Sequence, residues 1–386
     1  MSDRTPVIVG IGLSDYPVAP HLTAYGHQVQ AIRRALDDSG VSKADIDGFM
    51  TVGNNGFMVD DVATMAEYLQ IRHKWCEGTQ YGGSASEAFV DHAAEAIRAG
   101  KCDTVLITYG SDLRSNKSRS LSMGMVPAFD GPRGWEQPFG PSIMSNYAMM
   151  AQRHMHEFGT TIEQLAEIAV STRMHAANNP QALNRDPLTI EQVVSAPRLA
   201  DPFGRYDCCL VTDGGGAILM TTAERAKDLK QKPIWVLGSA MSSTHWNPSQ
   251  MHDMTTTGAA VVGPEAFARA GLKPSDIDFA QIYDSFTITV MLQLEGLGFC
   301  KKGEGGAFVE SGILRPGGKL PVNTDGGGLS SSHPGQRGIF LLIESVLQLR
   351  GQAAGRQVPN AKLGIACGSG GMASYIGAVI LGSEQP

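Results

Sequence analysis

The chain has 386 residues, of which 42% are hydrophobic, 18% are charged and 46 are glycine. This composition is typical of a compact, turn-rich α/β protein and excludes a disordered chain. The net charge of −7 argues against a nucleic-acid or anionic-membrane binder, because both partners require a basic surface. No apolar run approaches the ~20 residues of a membrane span, and the first six residues lack an apolar export signal. We therefore expect a cytoplasmic protein with no nucleic-acid partner and no membrane span.

The cysteines do not suggest a metal site or a disulfide framework. None of them forms a CxxC pair, and two are adjacent, which suits neither a zinc knuckle nor a set of disulfides. Most are expected to be small core residues. The six are Cys76, Cys102, Cys208, Cys209, Cys300 and Cys367.

The first third of the chain predicts alternating strands and helices. Residues 7–12 indicate a strand, 25–39 an amphipathic helix closed by Gly40, and 60–69 a further helix. A glycine-rich stretch at 75–86 leads into a long helix that ends at Gly100. Residues 102–110 then indicate a buried strand of the parallel-sheet kind.

Residues from about 111 to 205 interrupt this pattern with scattered Pro, Met, Arg and His and a predicted helix at 161–175. We expect this region to lie over the sheet and to shape a substrate pocket. Its methionines suit a broad apolar ligand, although core packing accounts for them equally well. They include Met123, Met125, Met144, Met149 and Met150.

An internal repeat divides the chain. Residues 33–47 align without gaps with residues 264–278, which matches Gly40 with Gly271 and the sequence Asp-Ile-Asp at 45–47 with the same sequence at 276–278. A duplication is the economical explanation, with an N-terminal half at 1–250 and a C-terminal half at 251–386. Related halves would place the helix after the glycines at 82–83 beside the helix after His333, with both N-termini at one cleft.

The segment 323–338 has the highest density of chemically informative residues. The three glycines 326–328 allow a close approach of the backbone, and His333 and Pro334 precede an apolar run at 339–350 that predicts a buried helix ending at Gly351. His333 is therefore expected at or just before a helix start, where the helix dipole favours the neutral imidazole. The alternative is a hydrogen-bonded loop histidine.

These motifs, taken in order, make the sequence resemble the thiolase superfamily over nearly its whole length. The resemblance is strongest to the sterol-carrier-protein-type, lipid-transfer-like thiolases. It implies a five-layer α-β-α-β-α fold of two duplicated halves, acyl-CoA thioester substrates without a further cofactor, and a homodimer. The motifs are Ala-Ile-Arg-Ala-Gly at 96–100, Val-Thr-Asp-Gly-Gly-Gly-Ala at 211–217, Tyr-Asp-Ser-Phe-Thr at 283–287, Gly-Gly-Gly-Leu at 326–329 with His333, and Cys-Gly-Ser-Gly-Gly-Met at 367–372.

The nucleophilic cysteine of the thiolases has no counterpart at its expected position. Counting back from Gly100 along the first-half helix reaches Gly83. Ser84 is nearby, but a serine lacks thiolate character and is more simply a helix cap. Cys76 lies seven residues earlier and is the remaining candidate for a displaced nucleophile.

Other parts of the family's active site are retained. The resemblance implies that His333 handles protons at the acyl-CoA and that Cys367 is the second, acid/base cysteine. The N–H groups of the following glycines are expected to stabilise a thioester enolate oxygen, although a tight turn is the alternative reading of this loop. The predicted oxyanion and substrate-binding set is Gly83, Ser84, Ser332, Gly368, Gly370 and Gly371.

Tyr283 stands where thiolases have Asn or His. The arrangement Tyr-Asp-x-Phe-Thr is similar to that of the lipid-transfer-protein aldolases, which cleave the side chain of steroid β-hydroxyacyl-CoA thioesters and use this tyrosine in catalysis. In those enzymes a second tyrosine occupies the place of His333. A buried Tyr is otherwise most often a core residue with a bonded hydroxyl.

Retro-aldol cleavage requires a base, an oxyanion site and an acid but no covalent nucleophile. The sequence therefore predicts a carbon–carbon lyase acting on a β-hydroxyacyl-CoA of lipid or steroid side-chain type, with His333, Tyr283 and Cys367 moving protons. The resemblance also implies a small partner with a zinc ribbon and an OB-fold. The alternatives are an acetyl-CoA acyltransferase with a displaced cysteine and a non-catalytic lipid or acyl-CoA-binding protein.

Overall fold

The computed structural model describes residues 4–54, 61–117 and 131–385. The predicted pocket methionines Met123 and Met125 lie outside these residues. The strands are Pro6–Leu13 (β1), Gly48–Asn54 (β2), Trp75–Glu77 (β3), Thr104–Ser111 (β4), Arg198–Ala200 (β5), Phe203–Gly204 (β6), Gly214–Thr222 (β7), Ile234–Ser243 (β8), Phe279–Ile282 (β9), Leu363–Gly370 (β10) and Tyr375–Gly382 (β11).

The helices cover every long segment predicted as helical. They are Ala24–Ser39 (α1), Asp61–Leu69 (α2), Ala85–Arg98 (α3), Gly131–Glu136 (α4), Ile143–Phe158 (α5), Ile162–Ala177 (α6), Ile190–Val194 (α7), Ala223–Ala226 (α8), Ala259–Ala270 (α9), Thr287–Gly296 (α10), Gly305–Glu310 (α11) and Gly338–Arg350 (α12). Within the described ranges, no helix is both long and apolar enough to cross a membrane.

The predicted five-layer arrangement is confirmed. Nine strands form a mixed sheet in the order β3-β2-β4-β7-β1-β8-β11-β10-β9. Its two half-sheets, β3-β2-β4-β7-β1 and β8-β11-β10-β9, are joined through two residue pairs between β1 and β8. Helices α3 and α12 pack between the half-sheets, α1 covers the outer face of the first and α9 that of the second. The layers therefore follow the sequence α-β-α-β-α.

The duplication is visible in matching details of the two halves. Gly40 ends α1 and Gly271 ends α9, both with left-handed backbone (φ 76° and 66°). The carboxylate of Asp47 accepts two backbone N–H groups at the start of β4 (2.9 Å each). Asp278 does the same at the start of β10 (2.7 and 2.9 Å). The division of the halves between residues 250 and 251 stays a prediction. Strand β8 lies before this boundary, yet it occupies the position in the second half-sheet that β1 occupies in the first.

The region from about 111 to 205 contributes α4 to α7 and the small two-stranded sheet β5-β6. Helices α5 and α6 pack on α10, and α6 also contacts the π-helical turn Gly327–Ser331. Met144 and Met150 are buried in the core around α10, whereas Met149 is exposed. Core packing therefore accounts for the two buried methionines.

The helix predicted close to His333 begins later than expected, at Gly338. The carbonyl groups of Ser332 and Pro334 could have started a helical ladder, but they accept side-chain hydrogen bonds instead. Arg337 Nη1 donates to Ser332 (2.6 Å), and the Tyr109 hydroxyl donates to Pro334 (2.6 Å). His333 consequently lies in the connection between the π-helical turn and α12.

Candidate active site

A hydrogen-bonded tyrosine–histidine pair lies at the junction of the two halves. Tyr283 directly follows β9, and its hydroxyl is 2.9 Å from Nε2 of His333. The rings meet edge to face with centroids 5.5 Å apart, and both side chains are almost fully buried. The structure thus brings together two of the three predicted proton-handling residues. Their catalytic role stays a prediction.

The backbone on both sides of the pair is held by its neighbours. Tyr283 donates its N–H to the carbonyl of Cys367 (2.9 Å). The N–H of His333 donates to Oγ1 of Thr212 (3.0 Å), and the N–H of Thr212 donates to the carbonyl of His333 (3.3 Å). Thr212 Oγ1 also lies 3.0 Å from the Ser332 hydroxyl. The predicted substrate-binding residue Ser332 is fully buried. Its hydroxyl contacts Thr212, which holds the backbone of His333.

Arg337 anchors the segment that carries His333. Its guanidinium is fully buried and binds both carboxylate oxygens of Asp325 (2.5 and 2.6 Å). Burial alone would raise the pKa of Asp325, but the charge and hydrogen bonds of Arg337 hold it below its usual value. Arg337 Nε also lies 3.7 Å from Asp284. A buried cation therefore joins the two carboxylates beneath the tyrosine–histidine pair.

Asp284 connects this network to the glycine run. It follows Tyr283 in the chain and accepts the N–H groups of Gly328 (2.7 Å) and Leu329 (3.1 Å). Burial raises the pKa of Asp284 to about 7, although Arg337 and these N–H groups act in the opposite direction.

The close approach predicted for the glycine run exists, but it is made to protein groups. A Cβ on Gly327 would be 2.1 Å from Asp284, and one on Gly326 would be 2.5 Å from the Cβ of Ala176. Gly326 and Gly327 also have left-handed backbone (φ 98° and 60°). These two glycines are therefore needed for the glycine run to pack against Ala176 and Asp284.

The ring of Tyr283 occupies the space above Gly83. A Cβ built on Gly83 would lie 2.3 Å from Cε2 and Cζ of the ring and 2.4 Å from the carbonyl oxygen of Ser369. Real Cβ atoms do not approach other atoms so closely. The position expected for a thiolase nucleophile therefore cannot carry any side chain while Tyr283 keeps this orientation.

The predicted oxyanion loop packs tightly on the turn before α3. A Cβ on Gly370 would lie 1.8 Å from the carbonyl oxygen of Tyr81 and 3.1 Å from the nitrogen of Gly83. A Cβ on Gly82 would lie 3.1 Å from the nitrogen of Gly371, which has left-handed backbone (φ 61°). The backbones of the two halves thus meet here. The oxyanion role of this loop stays a prediction.

Ser84 does not cap α3. Its side chain is fully buried, makes no capping bond to the helix, and donates to the carbonyl of Tyr81 instead (3.0 Å). The hydroxyl therefore stabilises the turn that carries Gly83. Its backbone N–H donates to the same carbonyl (3.4 Å), and its part in substrate binding stays a prediction.

Cys367 faces away from the layer that contains Tyr283. Side chains alternate between the two faces of a strand, and a Cβ on the next residue, Gly368, would meet Glu87 in the central layer. Cys367 belongs to the core on the other face of the second half-sheet. Burial, and then the charge of Glu87, raise the pKa of the thiol well above its usual value. Its predicted role as catalytic acid stays a prediction, which this orientation does not favour.

The candidate for a displaced nucleophile lies on an edge strand. Cys76 is in β3, at one end of the nine-stranded sheet, and its side chain is exposed. Tyr283 and His333 are buried. This contrast gives no support to acyl transfer through Cys76.

Sequence reasoning missed one further group, Glu87 in the first turn of α3. It is 1% exposed, and apart from its own N–H no described group hydrogen-bonds to its carboxyl oxygens. Burial raises the pKa of Glu87 to about 8. A glutamate is common in the first turn of a helix, so the sequence gives no direct sign of a functional role for Glu87. The buried apolar run that follows it, Ala88, Phe89 and Val90, could have indicated an inward-facing carboxyl.

Comparisons with known proteins agree with this geometry. Residues 240–383 match the thiolase C-terminal domain-like family. The 17-hydroxy-3-oxo-4-pregnene-20-carboxyl-CoA lyase of Mycobacterium tuberculosis is 34% identical over 89% of this chain and 91% of its own. The steroid side-chain-cleaving aldolase of Thermomonospora curvata is 32% identical over 98% of both chains. An acetyl-CoA acetyltransferase of Methanothermobacter thermautotrophicus is 41% identical, but over 61% of this chain and 62% of its own.

The solved structure of the Ltp2–ChsH2(DUF35) aldolase superposes with a TM-score of 0.88 and 31% identity, covering 98% of both chains. The near-complete coverage by this structure and by two relatives above 30% identity extends over both halves and the region between them. The chain belongs to the thiolase superfamily, in the branch that contains the steroid side-chain-cleaving aldolases.

Proposed function

We propose that the protein is a carbon–carbon lyase that cleaves a β-hydroxyacyl-CoA by a retro-aldol reaction. The observation that carries the proposal is the position of the Tyr283 ring over Gly83. Thiolytic chemistry requires a covalent acyl-enzyme, and a nucleophile cannot fit at this position. The same ring delivers a hydroxyl that is hydrogen-bonded to His333, which suits proton transfer at a substrate alcohol.

In the proposed reaction the Tyr283–His333 pair takes the proton of the β-hydroxyl. The carbon–carbon bond then breaks, the hydroxyl carbon becomes a ketone or aldehyde, and the bonding electrons pass to the thioester as an enolate. Backbone N–H groups at Gly83 and Gly370 stabilise the enolate oxygen. Protonation of the α-carbon completes the acyl-CoA product. Coenzyme A enters as part of the substrate, and no further cofactor is needed for these steps.

The substrate class follows from the relatives. Two of them are described as acting on steroid side chains or on a pregnene carboxyl-CoA. We therefore propose a bulky lipid or steroid side-chain thioester. The region from about 111 to 205 contacts the segment that carries His333 through α6, and this supports a part for it in forming the acyl pocket.

The test is product analysis with purified protein and a series of β-hydroxyacyl-CoA thioesters, from short to steroid-like. We expect a ketone or aldehyde and a shortened acyl-CoA from the bulky members. The matched counter-substrate is a β-ketoacyl-CoA with free coenzyme A, which should not be cleaved. Thiolysis of the ketoacyl thioester, with no cleavage of any hydroxyacyl thioester, would contradict the proposal.

We also propose that the active form is a homodimer that works with a second small subunit. The aldolase structure similar to this chain is described with two components, Ltp2 and ChsH2(DUF35), which supports a partner. The zinc ribbon and OB-fold of that partner, and a cytoplasmic location, remain predictions. Strand β3 ends the sheet and offers an edge for a second copy. Light scattering of the purified protein tests the dimer, and co-expression with neighbouring genes tests the partner.

An acyltransferase is the second candidate, because an acetyl-CoA acetyltransferase matches more than half of the chain at 41% identity. It requires an acylated cysteine. Mass spectrometry after exposure to acetyl-CoA separates the two proposals. An acyl adduct on Cys76 or on another cysteine supports transfer, and an unmodified protein that cleaves hydroxyacyl thioesters supports the lyase.

A further inference from the structure

Glu87 lies where the two halves of the molecule meet. Its Oε2 atom lies against Gly338, the first residue of α12, and against Gly368 in β10, since a Cβ on either glycine would be 2.3 Å from it. A Cβ on Gly377 in β11 would lie 2.9 Å from the Cβ of Glu87. Two elements thus present glycines to the carboxyl group, and a third presents a glycine to the Cβ of the same side chain. Larger residues at the first two positions would displace the carboxyl.

The carboxyl group is close to the proposed reaction site. A Cβ on Gly338 would be 2.3 Å from Oε2 of Glu87 and 2.6 Å from the carbonyl oxygen of Gly83. The same Gly83 lies against the Tyr283 ring. Glu87 and Tyr283 therefore both lie close to the Gly83 backbone, and Gly368 of the predicted oxyanion loop borders the carboxyl.

A buried carboxyl without hydrogen-bond partners is costly. The loss of hydration of such a group is worth about 1–3 kcal/mol, and buried polar groups are otherwise almost always bonded. An amide or an apolar residue would fill the same volume without a titratable proton. The presence of an acid at this place therefore indicates that its proton is used.

We propose that Glu87 is the acid that protonates the α-carbon of the thioester enolate, in place of Cys367 or a member of the Tyr283–His333 pair. The inference rests on the proposed lyase function. It gives the thioester side of the reaction its own proton donor, separate from the Tyr283–His333 pair on the hydroxyl side. Among the described residues, no group other than its own N–H bonds to its carboxyl oxygens, so turning the side chain towards the enolate would break no hydrogen bond to another residue.

In this reaction each proton that is removed from one group is transferred to another. The pair gains the proton of the β-hydroxyl as the carbon–carbon bond breaks, and the bonding electrons move to the enolate. The O–H bond of Glu87 then breaks, its proton forms the new bond to the α-carbon, and Glu87 becomes a carboxylate. The proton held by the pair returns through solvent to Glu87, so that the enzyme is regenerated without an added reactant.

The surroundings of Glu87 favour the protonated form at neutral pH. Burial raises its pKa to about 8. The titratable group of β10 that its charge influences is the thiol of Cys367 on the other face of the strand, whose pKa is raised in turn. The elements α12 and β11 present Gly338 and Gly377, and the nearby cation Arg337 is bound to Asp325. The protonating step should therefore slow as the pH rises above about 8.

The test is exchange of the α-protons of acetyl-CoA for deuterium in D2O, measured by mass spectrometry on the full chain with its partner. This half-reaction needs the thioester-side acid and base but not the β-hydroxyl. We expect Glu87→Gln to lower the exchange rate about a hundredfold. Glu87→Asp keeps an acid and should retain more exchange than Glu87→Gln. A purely structural role predicts the reverse, because Gln is the closer match in shape. Glu95→Gln, on the exposed face of the same helix, is the control.

The outcomes separate this inference from the lyase proposal. Exchange by the wild type without cleavage of any hydroxyacyl thioester overturns the lyase and leaves the role of Glu87 in place. Cleavage and exchange at wild-type rates in a folded Glu87→Gln protein overturn the role of Glu87 alone. A wild type that neither exchanges nor cleaves overturns both. Melting curves of each variant establish that it is folded.

Discussion

The phenol ring of Tyr283 lies over Gly83, so closely that a Cβ on the glycine would be 2.3 Å from the ring carbon that carries the hydroxyl. Tyr283 belongs to the second half of the chain and Gly83 to the first. The absence of a side chain at position 83 and the buried phenol of Tyr283 are thus two aspects of one contact. In this molecule a side chain at position 83 and the tyrosine in its observed orientation exclude each other.

Adding a side chain at position 83 should disturb Tyr283. Because the new Cβ collides with the ring and with the carbonyl of Ser369, we expect Gly83→Ala to lower the free energy of unfolding by about 1–3 kcal/mol and to reduce turnover. Denaturant unfolding measures the first effect. In the double variant Gly83→Ala/Tyr283→Ala the clash with the ring is gone, and part of the loss should return as a coupling energy. Strict additivity of the two substitutions would contradict the contact.

Removing the hydroxyl of Tyr283 should affect chemistry more than folding. Tyr283→Phe keeps the ring over Gly83 but loses the 2.9 Å hydrogen bond to His333. We expect turnover of a β-hydroxyacyl-CoA to fall about a hundredfold or more, while stability changes by about 1 kcal/mol. Tyr68→Phe, on an exposed tyrosine of α2, is the control. Turnover of Tyr283→Phe at the rate of this control would remove the phenol from the mechanism.

Removing the buried cation should destabilise the site strongly. Arg337→Met leaves Asp284 and Asp325 buried without the guanidinium that lies between them. Breaking a buried pair by removal of one partner costs about 3–5 kcal/mol, which chemical denaturation can measure. Arg98→Met removes a surface ion pair with Glu95 and should cost less than about 1 kcal/mol. Similar losses in the two variants would show that the network does not hold the fold.

The raised pKa of Glu87 should appear in the pH dependence of stability. Below pH about 4.5 the folded and unfolded chains both carry the proton, and the contribution is fully present. As the pH rises towards about 8, the unfolded chain releases the proton while the folded chain retains it, so that stability is lost. The loss amounts to roughly 3 kcal/mol at pH 7.

Glu87→Gln lacks this ionisation, and the thiol of Cys367, whose pKa lies well above its usual value chiefly through burial, stays protonated in both proteins below pH about 8. We therefore expect the variant to gain stability relative to the wild type between pH about 4.5 and about 8. Denaturant unfolding across this range measures the difference, with Glu95→Gln as the control. A stability difference that does not change with pH would mean that Glu87 ionises normally in the folded protein.

The repeated motifs led to the correct architecture because they record local requirements. Gly40 and Gly271 each end a helix in left-handed backbone, and Asp47 and Asp278 each bind the N–H groups at the start of a strand. Ending a helix or starting a strand in this way depends on a few residues nearby in the sequence and on the adjacent strand. The start of α12 was predicted less well, because Pro334 suits a first helical turn and the bond from Tyr109 to its carbonyl comes from a distant strand.

The side-chain directions at the site could not be predicted in the same way. A shift of one residue along a strand moves a side chain to the opposite face, and the glycines beside Cys367 give no periodicity from which to choose its face. Glu87 poses a similar difficulty. Its burial depends on Gly338 and Gly368, which are more than 200 residues away in the chain.

The sequence by itself determined the duplicated α/β architecture, the superfamily, and the combination of Tyr283 and His333 with a glycine at the nucleophile position 83, because hydrophobic periodicity, turn residues and motifs are properties of local segments. Only the tertiary structure decided that the Tyr283 ring covers Gly83, that Cys367 faces the other side of its strand, and that the carboxyl of Glu87 lies at the junction. These features arise where the two halves pack against each other, and packing between distant segments leaves no periodic signal in either segment.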